Sequence, residues 1–390
     1  VREKYRPGLE VFLDSYIDLV KGKKTGLLTN HTGLNREFVQ NIDLFKVHGE
    51  VNLTALFAPE HGIRGNFAAG EKVVDNFDTQ TGLPVFSLYG NKREPAGKIL
   101  KELDALIFDL QDVGVRFYTY LSTLINTLKV CGEAKLELII LDRPNPLGRK
   151  EEGNLLRENF KSFVGAWPVL LRHGLTLGEI ALMVNSKLKD PAPLYVVPCQ
   201  GWKGEFFRGA EGKWVPPSPG LPHFGSVLVY PGTCLFEGTN LSEGRGTTNP
   251  FELVGAPWVD PYRWKEELEK EKIPGVEFRP AFFRPGFSLY AGKECGGLHV
   301  YITEPEKVDT VLLGLTMLFT CRNIYPEKLK WIAGEKGYFL DQLLGDDEPR
   351  LMLEKGANPR EINSNWAEER VEFGEMKKDF LLYPVEKESH

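Results

Sequence analysis

The stretch ALIFDLQDVGVRFYTYLSTLINTLKV, residues 105–130, carries one copy of the pattern that decides the fold. Ala105 to Leu110 is a short apolar run, and it stops at the polar pair Gln111-Asp112. Such a run bounded by turn residues reads as a strand buried on both faces. From Phe117 to Val130 the apolar residues then recur at helical spacing. The unit is strand, polar turn, helix.

Working outward, the same apolar runs recur at Thr25 to Thr29, Leu53 to Ala58, Pro84 to Leu88, Leu136 to Leu141 and Leu194 to Val197. A second helical pattern, Leu177 to Leu188, follows Thr176, whose hydroxyl can cap it. Strand and helix in alternation imply a mostly parallel sheet with right-handed crossovers. The expectation is an α/β chain with a Rossmann-like N-terminal domain over residues 1–222. From Gln200 to Pro250 the texture changes to Gly, Pro and Trp with few regular patterns. Beyond it lie shorter strand candidates, Glu277 to Pro280 and Leu298 to Ile302, and a helix from Val308 to Cys321. These predict a smaller α+β domain over residues 223–390, with short helices after Asp346.

Bulk properties narrow the function classes. At 390 residues, 42% hydrophobic and 26% charged, the chain has ample material for a core and is long enough for two domains. The net charge of −6 is interspersed, so no basic track invites a nucleic acid. The longest apolar candidate, Val311 to Phe319, is too short to span a bilayer and reads as a buried helix stripe. Cys131, Cys199, Cys234, Cys295 and Cys321 are scattered and odd in number, which predicts buried free thiols. The chain begins at Val1 rather than Met, which reads as a processed or cloned terminus.

The unusual polar residues fall where the predicted strands end: Asn30, His31, Glu60, His61, Arg64, Gln111, Asp112, Arg116, Asp142, Arg143 and Asn145. An open parallel sheet binds its ligands beyond the carboxyl ends of its strands. Yet the turn after the first strand, Asn30-His31-Thr32-Gly33-Leu34, lacks GxGxxG, and the chain has no P-loop, no GxSxG and no HExxH. Nucleotide binding, the esterase elbow and zincin chemistry therefore lose their motifs.

Glu60 stands out among the acids. Phe57, Ala58, Pro59 and Ile63 flank it, an apolar setting in which a carboxyl can hold its proton for general acid catalysis. The plain alternative is a Glu that pairs with Arg64 or caps a helix. Asp112 and Asp142 are candidate second carboxylates, since glycosidases usually employ two; Asp142 before Arg143-Pro144 equally reads as a loop brace. Arg116 at a helix start favours an anion, Tyr118 could stack on a sugar ring, and Tyr120 reads as core. The polar, glycine-rich run from Glu237 to Asn249 offers Glu237, Asn240, Glu243 and Arg245 as binding candidates.

Taken in order, Thr29 to Gly33, Ala58 to Gly65, Asp109 to Tyr120, Leu141 to Pro146 and the Glu237 to Asn249 loop resemble the bacterial exo-β-N-acetylmuramidases. The resemblance runs from about residue 8 to the end. It implies a site in a cleft between the two domains. It also implies release of N-acetylmuramic acid from the non-reducing end of peptidoglycan fragments, with Glu60 as the catalytic acid. Asp112 is the partner carboxyl inferred beside it, and His61 a group that tunes Glu60 or binds sugar. No cofactor is implied, and the family's secreted members favour an extracellular or periplasmic setting, with a cytoplasmic one left open by the sequence. Arg64, Arg116 and Arg245 are the candidates to read the lactyl carboxylate of the sugar. Two rivals remain at this stage: a metal-assisted hydrolase built on His31, His61, Asp112 and Asp142, and a non-catalytic wall-saccharide-binding module.

Overall fold

The computed structural model describes residues 5–60, 62–65, 76–87, 99–207, 214–334 and 337–384. Its first layer is a sheet built from β1 (Lys24–Thr29), β2 (Asn52–Ala58), β3 (Asn76–Phe77), β4 (Pro84–Ser87), β5 (Ala105–Asp109) and β6 (Glu137–Leu141). A hairpin of β7 (Glu152–Leu155) and β8 (Leu170–Arg172) precedes the last strand of that sheet, β9 (Leu194–Val197). The order is β3-β4-β2-β1-β5-β6-β9, with only the edge strand β3 antiparallel. The mostly parallel α/β expectation holds, and all six expected apolar runs lie in this sheet, Leu88 falling outside the described residues.

Side-chain alternation explains the layers. Leu27, Leu56, Ile107 and Ile139 face one core with Leu9 and Phe12 of α1 (Gly8–Ser15) and Ile42 and Phe45 of α2 (Asn41–Val47). Their chain neighbours Leu28, Phe57, Phe108 and Ile140 face the other core. There they meet α3 (Thr119–Ala134) and α4 (Leu177–Asn185), the latter closed by a capping box between Thr176 and Glu179. Apolar on both faces, the strands could not alternate with polar residues.

The chain leaves β1 in one direction, towards β2 and β4, and returns past it to β5, β6 and β9. The direction of winding reverses between β1 and β5, whose ends align at Thr29 and Asp109. Such a switch point opens a crevice at the carboxyl ends of the strands.

The second part contributes α5 (Phe224–Thr233), β10 (Leu253–Ala256), α6 (Pro261–Lys270), β11 (Val276–Phe283), β12 (Cys295–Ile302) and α7 (Thr310–Ile324). Its three strands form an antiparallel sheet in the order β10-β12-β11. Short helices follow Asp346, as expected. The helix α5 corrects the reading of residues 200–250 as largely irregular. It forms despite Pro231 because tertiary contact overrides propensity. Gly232 and Gly314 let α5 and α7 touch: a Cβ on Gly232 would lie 2.0 Å from Thr310 O, and one on Gly314 2.3 Å from Gly232 O.

The two parts share one apolar core, in which Tyr230, Phe251 and Val311 continue the cluster begun by Phe57 and Leu124. Glu152 of β7 ties them further. It pairs with Arg172 at 2.5 Å and accepts from Thr310 N at 2.8 Å and Thr310 Oγ1 at 2.6 Å, capping α7 across the molecule. The five cysteines are buried free thiols. No helix among the described residues is long and apolar enough to cross a membrane.

Candidate active site

Three loops flank the switch point, and they follow the adjacent strands β2, β1 and β5. Glu60 ends the first of them. The chain then turns at Gly62, whose φ of 72° suits glycine. Glu60 is 7% exposed, and Thr119 Oγ1 donates to its Oε2 at 2.7 Å. Thr119 is the first residue of α3, so the carboxyl lies at a helix N-terminus.

The β1 loop builds the next wall. Asn30 is buried; its Nδ2 donates to Tyr120 OH at 2.5 Å, and its Oδ1 accepts from Thr32 N and Thr32 Oγ1. Tyr120 OH in turn donates to Pro217 O at 2.8 Å. His31 Nε2 lies 2.7 Å from Pro216 O, and a carbonyl only accepts, so this nitrogen carries the proton. Gly65 backs the same ring: a Cβ there would stand 2.4 Å from His31 Nδ1. Two prolines leading towards the second part are thus pinned to the ends of β1 and the start of α3.

Asp112 comes from the β5 loop and is 6% exposed. Gly114 N donates to its Oδ2 at 2.7 Å, while its buried Oδ1 has no hydrogen-bond partner among the described residues. Burial pushes this carboxyl up to about 7, against the pull of the backbone hydrogen bonds from Gly114 and Val113. Gln111 braces the loop, its Nε2 donating to Asp112 O and Pro144 O.

An aromatic run leads into the second part. Tyr118 is buried edge-on to Tyr120, with ring centres 4.8 Å apart, and faces Tyr230 at 6.3 Å. Tyr230 meets Phe251 at 4.7 Å, and the Arg245 guanidinium lies over Phe251 at 4.8 Å. Arg245 Nη1 contacts Glu237 Oε1 at 2.6 Å and Glu243 Oε1 at 3.1 Å. No hydrogen bond among the described residues engages its Nε or Nη2. Burial holds the Glu243 carboxyl above its usual range, opposed by Arg245.

Several candidates serve the scaffold instead. Arg116 is fully buried, with Nη1 on Asn154 O and Val169 O and Nη2 on Leu343 O and Leu344 O, so it cannot receive an anion. Arg64 is forked onto Asp78 through Nε at 3.1 Å and Nη2 at 3.0 Å, and also meets Asp43 and Gln40. Arg143 grips Asp109 through Nε at 2.6 Å and Nη2 at 3.0 Å. Asp142 accepts from Thr176 Oγ1, Tyr383 OH and Gly178 N; burial pushes it up to about 6 against the bonds from Tyr383 and Thr176. Asn145 binds Leu175 O and Leu147 N, and Asn240 binds Lys328 O and Lys330 N. Tyr118 is a core ring rather than an open stacking face. Among the described residues, which do not include His61 of the suggested metal set, no group of three or more His, Cys, Asp or Glu is placed to hold an ion. His61 lies outside the described residues.

Thr119, Tyr230 and the Pro216-Pro217 carbonyls carry geometry to which the sequence pattern does not point. Thr119 is one polar residue inside the Asp109 to Tyr120 motif, and Tyr230 is one apolar-flanked tyrosine with no local signal.

Two family models match the chain. One, described as exo-beta-N-acetylmuramidase NamZ, N-terminal, covers residues 25–225; its C-terminal counterpart covers residues 228–383. The peptidoglycan beta-N-acetylmuramidase NamZ of Bacillus subtilis (strain 168) is 40% identical over 384 residues, spanning 98% of this chain and 92% of the relative. A crystal structure of a DUF1343 family protein from Bacteroides fragilis NCTC 9343 superposes with a TM-score of 0.90 at 32% identity, covering 98% of this chain and all of that one. A second from the same organism gives 0.79 at 31% identity over 98% of this chain and 99% of its own.

Proposed function

The chain belongs to the exo-β-N-acetylmuramidase family, and from that premise we propose how its cleft releases N-acetylmuramic acid from the non-reducing end of peptidoglycan fragments. The chain is a glycosidase of cell-wall turnover. We take residues 1–222 as the part that carries the carboxyl groups and residues 223–390 as the part that closes the cleft over them.

The observation that carries the reading is Glu60, buried at the switch point and held by the first hydroxyl of α3. In this reading Glu60 gives its proton to the glycosidic oxygen as the bond to the muramyl C1 breaks, and the freed saccharide leaves as an alcohol. Thr119 fixes the carboxyl through Oε2. Asp112 is the second carboxyl, acting on the sugar or the attacking water once ionised. Its Oδ1, buried and without a partner among the described residues, supports that role, because a buried acceptor left unmatched there is suited to a ligand.

Arg245 reads the lactyl carboxylate. Of the three arginines, it is the one whose Nε and Nη2 edge no hydrogen bond among the described residues engages, and two carboxylates on Nη1 hold that edge in place. His31, Asn30 and Gln111 shape the wall around the sugar. His61 follows Glu60 directly and remains a candidate to tune it. Glu237 and Glu243 act through Arg245.

A chromogenic β-N-acetylmuramide tests the whole reading. The wild-type protein releases the chromophore, and Glu60→Gln, unchanged in fold, does not. A Glu60→Gln protein as fast as the wild type overturns the assignment.

A further inference from the structure

The glycine-rich loop that carries Arg245 has a companion. The β11–β12 connection, residues 284–294, lies along it and is fixed to it at two points. Gly286 N donates to Gly246 O at 2.8 Å, and Tyr290 OH donates to Asn240 O at 2.8 Å. The fit at Gly246 is tight: a Cβ there would stand 2.4 Å from Phe287 O. Between the two anchors the backbone is strained, with Ser288 at φ 68° and Tyr290 at φ 62°, both non-glycine residues in the left-handed region. In the same stretch an aromatic ring stands outward: Phe287 is 67% exposed. A clamped loop that displays a large apolar ring beside a site is the reverse of what burial favours, and strain of this kind clusters where ligands bind.

We propose that Phe287 is the platform on which the saccharide beyond the scissile bond stacks. This rests on the glycosidase reading above. Phe287 is one residue past the Gly286–Gly246 contact, and Gly246 follows Arg245 in the chain, so the backbone that carries the ring lies against the loop of the residue that reads the terminal N-acetylmuramic acid. An exo-acting cleft encloses that terminal unit, so an exposed ring at the rim meets the next one. A pyranose presents an apolar face of C–H groups, and an aromatic ring is the side chain that matches it. The ligand is the uncharged leaving sugar, not the lactyl-bearing unit.

The test compares two substrates with different leaving groups. One is a glycan fragment that ends in N-acetylmuramic acid followed by N-acetylglucosamine; the other is methyl β-N-acetylmuramide, whose leaving group is too small to reach the rim. Phe287→Ala raises KM for the glycan about five- to tenfold, leaves kcat little changed and leaves the methyl glycoside unaffected. Phe287→Trp restores the glycan KM. Thermal melts confirm that both variants fold. Equal losses on both substrates, or no loss on the glycan, overturn the platform alone. A wild-type protein that hydrolyses neither substrate overturns the glycosidase reading and the platform with it.

Discussion

Thr119 Oγ1 stands 2.7 Å from Glu60 Oε2, so the first residue of one helix fixes the carboxyl that follows the neighbouring strand. The hydrogen bond orients an acid without contributing a proton of its own to the reaction. Thr119→Val keeps the shape and removes the donor. A hydrogen bond to a charged or partly charged group is worth about 1.5–3 kcal/mol, so kcat falls roughly 10- to 100-fold. KM stays nearly constant, because the threonine positions Glu60 rather than the sugar. Thr119→Ser restores most of the rate. A Thr119→Val protein with unchanged kcat refutes the positioning role.

Asp112 links pH to both stability and rate. Burial raises its folded pKa to about 7, from an ordinary value of 3.8. Below the ordinary carboxyl range both folded and unfolded chains hold the proton. Between about 4 and 7 the unfolded chain has lost it and the folded chain has not, so stability falls as pH rises through that window and is flat above it. The loss is on the order of a few kcal/mol. Asp112→Asn removes this dependence: the variant gains on the wild type in thermal melts at about pH 8 and loses the gain at about pH 4. If Asp112 acts once ionised, wild-type kcat/KM rises through about pH 7 and the Asn variant is slow at every pH. Melting curves whose difference does not change with pH contradict the buried-acid account.

The sheet was legible because strands buried on both faces need apolar runs, and the chain shows six of them with turn residues behind each. The placement of Glu60 and Asp112 at strand ends followed from the same pattern. What was hidden are contacts between distant segments. Arg116 reads as the start of a helix, the usual mark of an anion site, but α3 begins only at Thr119 and Arg116 turns inward onto carbonyls of β7 and of residues 343–344, which local spacing cannot reveal. Asp142 likewise sits at a strand end but is met by Tyr383, 241 residues later. The hairpin β7–β8 is not legible in the sequence because Glu152-Gly153-Asn154-Leu155 has no strand-like alternation; Arg172 and α7 satisfy it from afar. Helix α5 contains Pro231 and glycines, and only its packing against α7 explains it.

Arg116 should therefore behave as a structural residue. Arg116→Met strands the carbonyls of Asn154, Val169, Leu343 and Leu344 in the core. Removing one partner from a buried charged network costs about 3–5 kcal/mol. The expected outcome is a large fall in Tm, with the folded fraction keeping its preference between N-acetylmuramic and N-acetylglucosamine glycosides. Loss of that preference at unchanged Tm would return Arg116 to the binding site.

Arg245 should do the opposite. Its Nη1 is held by Glu237 and Glu243, and no hydrogen bond among the described residues engages its remaining edge. The lactyl group is the one feature that separates N-acetylmuramic acid from N-acetylglucosamine, so a residue that reads it affects one substrate alone. Arg245→Met removes the fork but keeps a flexible apolar stem over Phe251. A charge-assisted pair is worth about 1.5–3 kcal/mol, so kcat/KM for a chromogenic β-N-acetylmuramide drops roughly 10- to 100-fold. The slow background rate on the matching N-acetylglucosaminide does not drop. Arg245→Lys recovers only part of the loss, because a point charge cannot grip both carboxylate oxygens as a planar fork does. Arg64→Met, whose fork is already closed on Asp78, leaves the ratio of the two rates where it was. Equal losses on both substrates for Arg245→Met would mean that the arginine braces the cleft and that the lactyl group is read elsewhere.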